Sequence, residues 1–509
     1  MLFTAYEFVF LFLPATLAGF WLLRRASYAA SVLWLVAASL FFYAYWNAAY
    51  LWLLVPSIVV NFGLGRLLDA CPAGPAKKLL LAAGIAANLG VLLYFKYAGF
   101  LVANIDRLLG ADVSLGAILL PLGVSFITFQ KIAYLVDAYR GQARDRSFLR
   151  FALFVSFFPQ LIAGPIVHHA EVMPQLEPQC LKGVRAATLA AGLGLFAVGL
   201  FKKVILADGI APGATLGFAD AARAIEPSLQ AAWAAALSYT LQLYFDFSGY
   251  SDMACGLALM FGVRLPVNFY SPYKAAGIID FWRRWHITLS RFLRDYLYIP
   301  LGGNRHGPLR RYGNILITMT LGGLWHGAGW TFILWGLYHG LLLLLNHAWR
   351  RSRLPVPARP LRVLARPLCV LATFLAVMFG WVLFRSDSFA AARLMLEALL
   401  HLGDGAAVEA RVPPVLEWLK IAVLLAAVWL LPNTVQLMRR AFLLSDENTR
   451  RHLAEDGRRP LWQRQGRQKR GWRKLAWRPS LAWAAITAAC LALALMPMRP
   501  RIEFLYFQF

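Results

Sequence analysis

The chain has 509 residues, 60% of them hydrophobic and only 15% charged, with a mean hydropathy of +0.57. A soluble domain carries too much polar surface to average so high, so lipid is the solvent over much of the length. The net charge of +26 does not argue for nucleic acid, because Lys and Arg gather beside apolar runs, facing cytoplasm and anionic headgroups.

Runs long enough to cross about 30 Å of hydrocarbon recur from end to end. The first, residues 6–23, lacks a basic leader and a small-residue cleavage site, and is expected as a retained span. Arg24 and Arg25 follow it and place the N-terminus outside under the positive-inside bias. Further runs are 29–46, 79–101 (after Lys77 and Lys78), 186–206, 315–334, 370–384, 416–431 and 481–496. Basic clusters separate them at Arg140, Arg144, Arg146 and Arg150, and again between Arg350 and Arg366. By this window criterion the chain is an all-α polytopic membrane protein with about eleven to thirteen membrane segments, some re-entrant or interfacial. Cys71, Cys180, Cys255, Cys369 and Cys490 are scattered without paired spacing and read as packing residues. His168 and His169 are adjacent and point apart, and no H-x-x-H or C-x-x-C pattern occurs, so no metal site is expected.

Two stretches break the apolar rhythm. Residues 267–312 are rich in Arg, aromatic residues and turn signals, and "DFWRRWHITLSRFLRDYLYIP" reads as one helix from Asp280, its N-cap, to Pro300. Trp282, Trp285, His286, Leu289, Phe292, Leu293 and Tyr296 fall on one stripe of that helix, with Arg283, Ser290, Arg291 and Arg294 mostly off it. Residues 439–478 are dense in arginine and interleaved with Trp462, Trp472 and Trp477, which favours a membrane-surface segment on the cytoplasmic side. The organisation expected is a transmembrane core over 1–438, this basic segment, and a last span with an aromatic tail over 479–509.

Four polar groups sit where polarity is expensive: Asp246 and Asp252 in "LYFDFSGYSDMACG", His286 on the stripe, and His326 inside the 315–334 run. Ionisable groups in a membrane segment cost about 2–3 kcal/mol each even on the lenient insertion scale, which makes them functional candidates. The aspartates equally suit helix capping or pairing with Arg283 or Arg284, and His286 equally suits a satisfied core position. Around His326, Gly322, Gly323, Gly327 and Gly329 allow close helix packing, or leave room for a thin substrate to reach an imidazole able to take a hydroxyl proton. His339, thirteen positions on along the same presumed helix, is assigned to packing or interhelical hydrogen bonding. The chain has no Gly-rich phosphate cradle and no nucleophile elbow.

The segments "PLGVSFITFQKIAYLVDAYRG", "FPQLIAGPIV", "YFDFSGYSDMACGLALMFG", "NFYSPYKAAGIIDFWRRWHITLSRFLRDYLYIPLGGNR" and "GGLWHGAGWTFILWGLYHG" resemble the bacterial branch of the membrane-bound O-acyltransferases. Within it they are most similar to the membrane subunits of alginate O-acetylation. The likeness runs from Met1 to about Arg385. It implies a ring of tilted helices around a thinned centre, with funnels from both faces meeting near a histidine. It also implies His326 as the catalytic base and His286 as its companion, positioning or stabilising charge. The donor implied is a cytoplasmic thioester, acetyl-CoA, with no permanently bound cofactor. The acceptor side implies periplasmic acetyltransferase partners and an extracellular polysaccharide. The tail "EFLYFQF" resembles that of the alginate, cellulose and peptidoglycan branch, and implies Tyr506 as an acyl relay. An aromatic interfacial anchor is the other reading of this tail. Competing functions are a D-alanyl exporter for teichoic acid, acetylation of cellulose or peptidoglycan, and a transporter without acyl chemistry. The absence of an internal repeat argues against most secondary transporters.

Overall fold

The computed structural model describes residues 1–110, 116, 118–182, 185–352, 359–402, 413–443, 475–498 and 504–505. Among these residues every regular element is a helix. Six helices are long and apolar enough to span a membrane: Phe8–Ala26, Ala48–Ala70, Pro75–Leu109, Ala186–Ala222, Trp330–Arg351 and Ala365–Arg385. Tyr28–Ala44 and Leu481–Leu495 are shorter and equally apolar. The protein is thus membrane-embedded and polytopic. Leu229–Met260, at 32 residues, and Gly307–His326, at 20, are long enough to cross but carry polar residues along their length. Most of the basic segment, 444–474, lies outside the described residues. Trp477, at its edge, is buried against the protein and donates its backbone N–H to Leu437 O at 2.7 Å.

The helices gather into two compact units, each drawing on separate parts of the chain. The first comprises residues 1–200, 250–267 and 434–503. Helices α1 (Leu13–Ala26) and α2 (Tyr28–Ala44) pack closely because Gly19 leaves room for Trp34, whose indole N–H donates to Thr16 O at 3.0 Å. Helices α3 (Leu51–Ala70) and α4 (Pro75–Leu92) are tied by the side-chain amides of Asn61 and Asn88, which exchange hydrogen bonds where lipid offers no partner.

The second unit comprises residues 201–249, 268–433 and 504–509. Its central feature is a hairpin of α9 (Gly307–His326) and α10 (Trp330–Arg351); the intervening elements are α5 (Asp208–Ala222), α6 (Leu229–Met260), α7 (Ile278–Trp282) and α8 (Ile287–Leu293). Helix α11 (Arg359–Arg385) packs on α10. The hairpin corrects the expectation of one span over 315–334. The helix stops at His326, Gly327 and Gly329 are extended, and a new helix starts at Trp330. Glycines set how tightly the hairpin closes: a Cβ on Gly323 would overlap the Phe332 carbonyl, and one on Gly336 the Met319 carbonyl.

The single helix expected over 280–300 is also corrected. Helix α7 ends at Trp282, a turn follows, and α8 begins only at Ile287. Competing hydrogen bonds explain the break. Tyr270 N–H donates to Arg284 O at 2.9 Å, and Ile287 N–H to Asn268 O at 3.0 Å, so residues 268–270 capture backbone groups that a continuous helix would pair internally. Asp280 is no N-cap; Gly277 holds that position, and Asp280 pairs with Arg284 at 2.9 Å. The apolar stripe nonetheless faces inward, since Trp282, Trp285, His286, Leu289, Phe292 and Leu293 are all buried.

Candidate active site

His326 is the last residue of α9, so its side chain stands at the hairpin bend and not midway along a helix wall. It is 4% exposed. Aromatic rings close around it: Trp325 at 5.0 Å between ring centres, Trp335 at 5.1 Å and Phe384 at 5.3 Å, all edge to face. Trp335 and Phe384 arrive from α10 and α11, so the bend and two helices together surround one imidazole with aromatic rings.

The second imidazole is His286, fully buried, with its ring centre 6.4 Å from that of His326. One oxygen atom at about 2.8 Å from a nitrogen of each ring fits such a separation. His286 has a left-handed backbone, φ 41°, which an L-residue adopts at a cost of about 1–3 kcal/mol and which clusters at functional sites. The turn that breaks the helix thus also aims this ring.

Asn268 fixes the tautomer of His286. Its Oδ1 accepts from the Thr288 backbone N–H at 3.3 Å and from the Thr288 hydroxyl at 2.9 Å. A backbone N–H can only donate, so the atom facing it is the amide oxygen, and the orientation of Asn268 follows. His286 Nδ1, 3.1 Å from the same oxygen, must then carry its proton, and Nε2 presents the lone pair.

Asp246, on α6, is 1% exposed. It pairs with Lys203 at 2.6 Å, and Lys203 pairs in turn with Asp208 at 2.7 Å. The arginine pairing expected for Asp246 is therefore replaced by a lysine. Lys203 lies in a π-helical stretch, Lys202–Ala207, whose wider turn sets residues five apart side by side. The other oxygen of Asp246 accepts the backbone N–H of Leu505 at 3.0 Å. Phe504, also buried, packs on Phe247 at 5.6 Å, and Phe247 lies 4.7 Å from His286. The chain end therefore reaches the histidines through one intervening ring. Tyr506 itself, with Phe507 and Phe509, lies outside the described residues.

Asp252 is buried too, but belongs to the first unit. Six residues beyond Asp246 on one helix, it is rotated by roughly 240° and projects from a different face. His339 is fully buried between Trp335, at 4.9 Å, and Trp282, at 5.2 Å. Neither of its ring nitrogens has a hydrogen-bond partner among the described residues, which assigns it to packing. Trp335, one turn before His339, lies against both rings, 5.1 Å from that of His326 and 4.9 Å from that of His339.

Sequence reasoning missed Lys203, Asp208, Asn268 and the aromatic partners of His326. Two adjacent lysines inside the 186–206 apolar run were a signal for the first. Asn268 gives none, since its role exists only once residues 268–270 and 284–288 meet.

Residues 128–385 match the profile of MBOAT, the membrane-bound O-acyltransferase family. The chain is 44% identical over 435 residues to a peptidoglycan O-acetyltransferase of Helicobacter pylori, covering 79% of this chain and 80% of that protein. It is 43% identical over 416 residues to a probable alginate O-acetylase of Azotobacter vinelandii, covering 79% of each. A teichoic acid D-alanyltransferase of Bacillus subtilis is 27% identical over 278 residues, 53% of this chain and 69% of that one. Both His286 and His326 fall within the family match.

Proposed function

The chain belongs to the membrane-bound O-acyltransferase family, and we propose that this O-acyltransferase moves an acetyl group from cytoplasmic acetyl-CoA across the bacterial inner membrane for O-acetylation of an extracellular polysaccharide. The observation that supports this reading best is the pair of imidazoles, 6.4 Å apart between ring centres, buried among aromatic rings. His326 takes the proton of an acceptor hydroxyl, the oxygen attacks the thioester carbonyl, and the thiolate leaves carrying a proton from the imidazolium. His286, fixed by Asn268 with its ring centre 6.4 Å from that of His326, borders the reacting groups and positions the acceptor, whose single hydroxyl proton goes to His326. The surrounding rings exclude water, which would otherwise hydrolyse the thioester.

The first acceptor in this reading is Tyr506, carried on the tail whose Leu505 is bonded to Asp246 and whose Phe504 packs on Phe247, the ring that borders His286. An aryl ester is an activated acyl group, so a periplasmic partner enzyme then passes the acetyl to the polymer. The relatives named for alginate and for peptidoglycan favour a glycan of one of these kinds. In this reading the N-terminus lies on the outer face, which the positive-inside bias at Arg24 and Arg25 favours. The test is polymer acetylation in cells producing His326→Ala at normal level in the membrane. A loss of about 10²–10⁴-fold is expected for a missing general base, and near-normal acetylation would overturn the assignment.

A further inference from the structure

The carboxylate of Asp246 serves two partners of different kinds. One oxygen faces the Lys203 ammonium at 2.6 Å, and the other accepts the main-chain N–H of Leu505 at 3.0 Å, 259 residues away in sequence. Lys203 is held from its other side by Asp208 at 2.7 Å. Lys203 and Asp246 are both under 5% exposed. Buried ion clusters are poor sources of stability, because apolar side chains of the same volume do as well or better. The Lys203 ammonium lies between two carboxylates, and the N–H dipole of the tail is directed at the free side of one of them, Asp246.

We propose that Asp246, fixed by Lys203 and Asp208, is a main-chain clamp that seats the C-terminal tail beside the paired histidines. Asp246 is a positioning residue, not a catalytic one, and its purpose rests on the reading of the tail as acyl carrier given above. The clamp holds backbone, so it is indifferent to the side chain at position 505. Registration comes from the neighbouring residue, Phe504, whose ring packs at a tilt against Phe247 at 5.6 Å. Phe247 also touches His286, at 4.7 Å, so one ring both receives the tail and borders the site. A hydrogen bond to an ionised group is roughly twice as strong as a neutral one, which suits a tail that must be held through repeated transfers yet released to hand on its load.

The experiment removes the single N–H from the full-length protein. Leucic acid at position 505, introduced by nonsense suppression, converts the amide to an ester and leaves every side chain unchanged. An ester at Phe507 serves as the control for ester lability. Release of the tail is read, with no acyl donor present, as the rate at which a carboxypeptidase trims the last four residues, followed by intact mass. The ester at 505 and Asp246→Ala should each raise trimming about tenfold, the factor for one lost charge-assisted hydrogen bond. Combined, they should do no more than Asp246→Ala alone, because both remove the same contact. A merely structural Asp246 would leave the ester at 505 without effect. Trimming of the 505 ester at the wild-type rate overturns the clamp, as does an undiminished ester effect in Asp246→Ala. Should Asp246→Ala fail to fold, the ester against wild type still decides. The acyl-relay reading fails separately: a tail protected as described but never acetylated at Tyr506 supports the clamp and removes the relay.

Discussion

Gly323→Ala places a methyl group where α9 and α10 touch backbone to backbone. Its Cβ would overlap the Phe332 carbonyl oxygen and lie 3.0 Å from both Cα and N of Gly336, and none of these is the movable end of a side chain. Carbon contacts relax only at about 3.5–4.0 Å, so the helices must part by about 1 Å. Overpacking of this kind costs about 1–3 kcal/mol. Helix preference opposes it, Ala being better than Gly by about 0.8–1.0 kcal/mol. The net expectation is about 0–2 kcal/mol of destabilisation. Gly313, on the same helix, has nothing within 4 Å of its Cβ position, so Ala there should stabilise by about 0.8–1.0 kcal/mol through preference alone. His326 lies less than one turn beyond Gly323, and a shift of about 1 Å at a reacting group can cost about 10²-fold in rate. Thermal unfolding in detergent and His326-dependent acetylation are the two assays. Gly323→Ala matching Gly313→Ala in both would refute the claim that this contact sets the hairpin and the histidine.

Asn268→Ala should leave the Thr288 N–H and His286 Nδ1–H without an acceptor, costing about 1–3 kcal/mol for each buried donor, and should lower acetylation about 10–100-fold. Thr288→Val removes one of the three bonds to Asn268 Oδ1 and should keep most activity; equal losses in the two variants would count against tautomer control. His286→Ala should lose far more acetylation than His339→Ala, because the second ring packs without hydrogen-bonding partners among the described residues; equal losses would place neither in the chemistry. Tyr506→Phe keeps the aromatic ring and removes only the hydroxyl, so polymer acetylation should disappear along with the added acetyl mass of the C-terminal peptide. Normal polymer acetylation by this variant would end the relay.

The membrane class, the two histidines and Asp246 were legible in the sequence because an ionisable group in an apolar run is conspicuous at any register. Their relation to one another was not. The 315–334 run has the hydropathy of one span, and only Gly327 and Gly329 hint that the chain reverses at His326. Residues 280–300 have helical periodicity that survives in what is buried, but tertiary hydrogen bonds from residues 268–270 outbid the helix at 283–286. Lys203 was visible as a charge and unreadable as a partner, since nothing local links residue 203 to residue 246 or to the chain end. Hydropathy locates polar residues along the chain, whereas contacts made across hundreds of residues decide which of them meet.

The central claim is that His326 performs acyl transfer, and the most direct measurement is thioester consumption by purified protein. Wild type and His326→Ala, matched for thermal unfolding, are incubated with radiolabelled acetyl-CoA, and free thiol and protein-bound label are followed together. The account requires that wild type release thiol and acquire label at Tyr506 in equal amounts, and that His326→Ala do neither. Equal thiol release by both proteins, or intact thioester with both, would contradict it and leave the paired histidines without the chemistry assigned here.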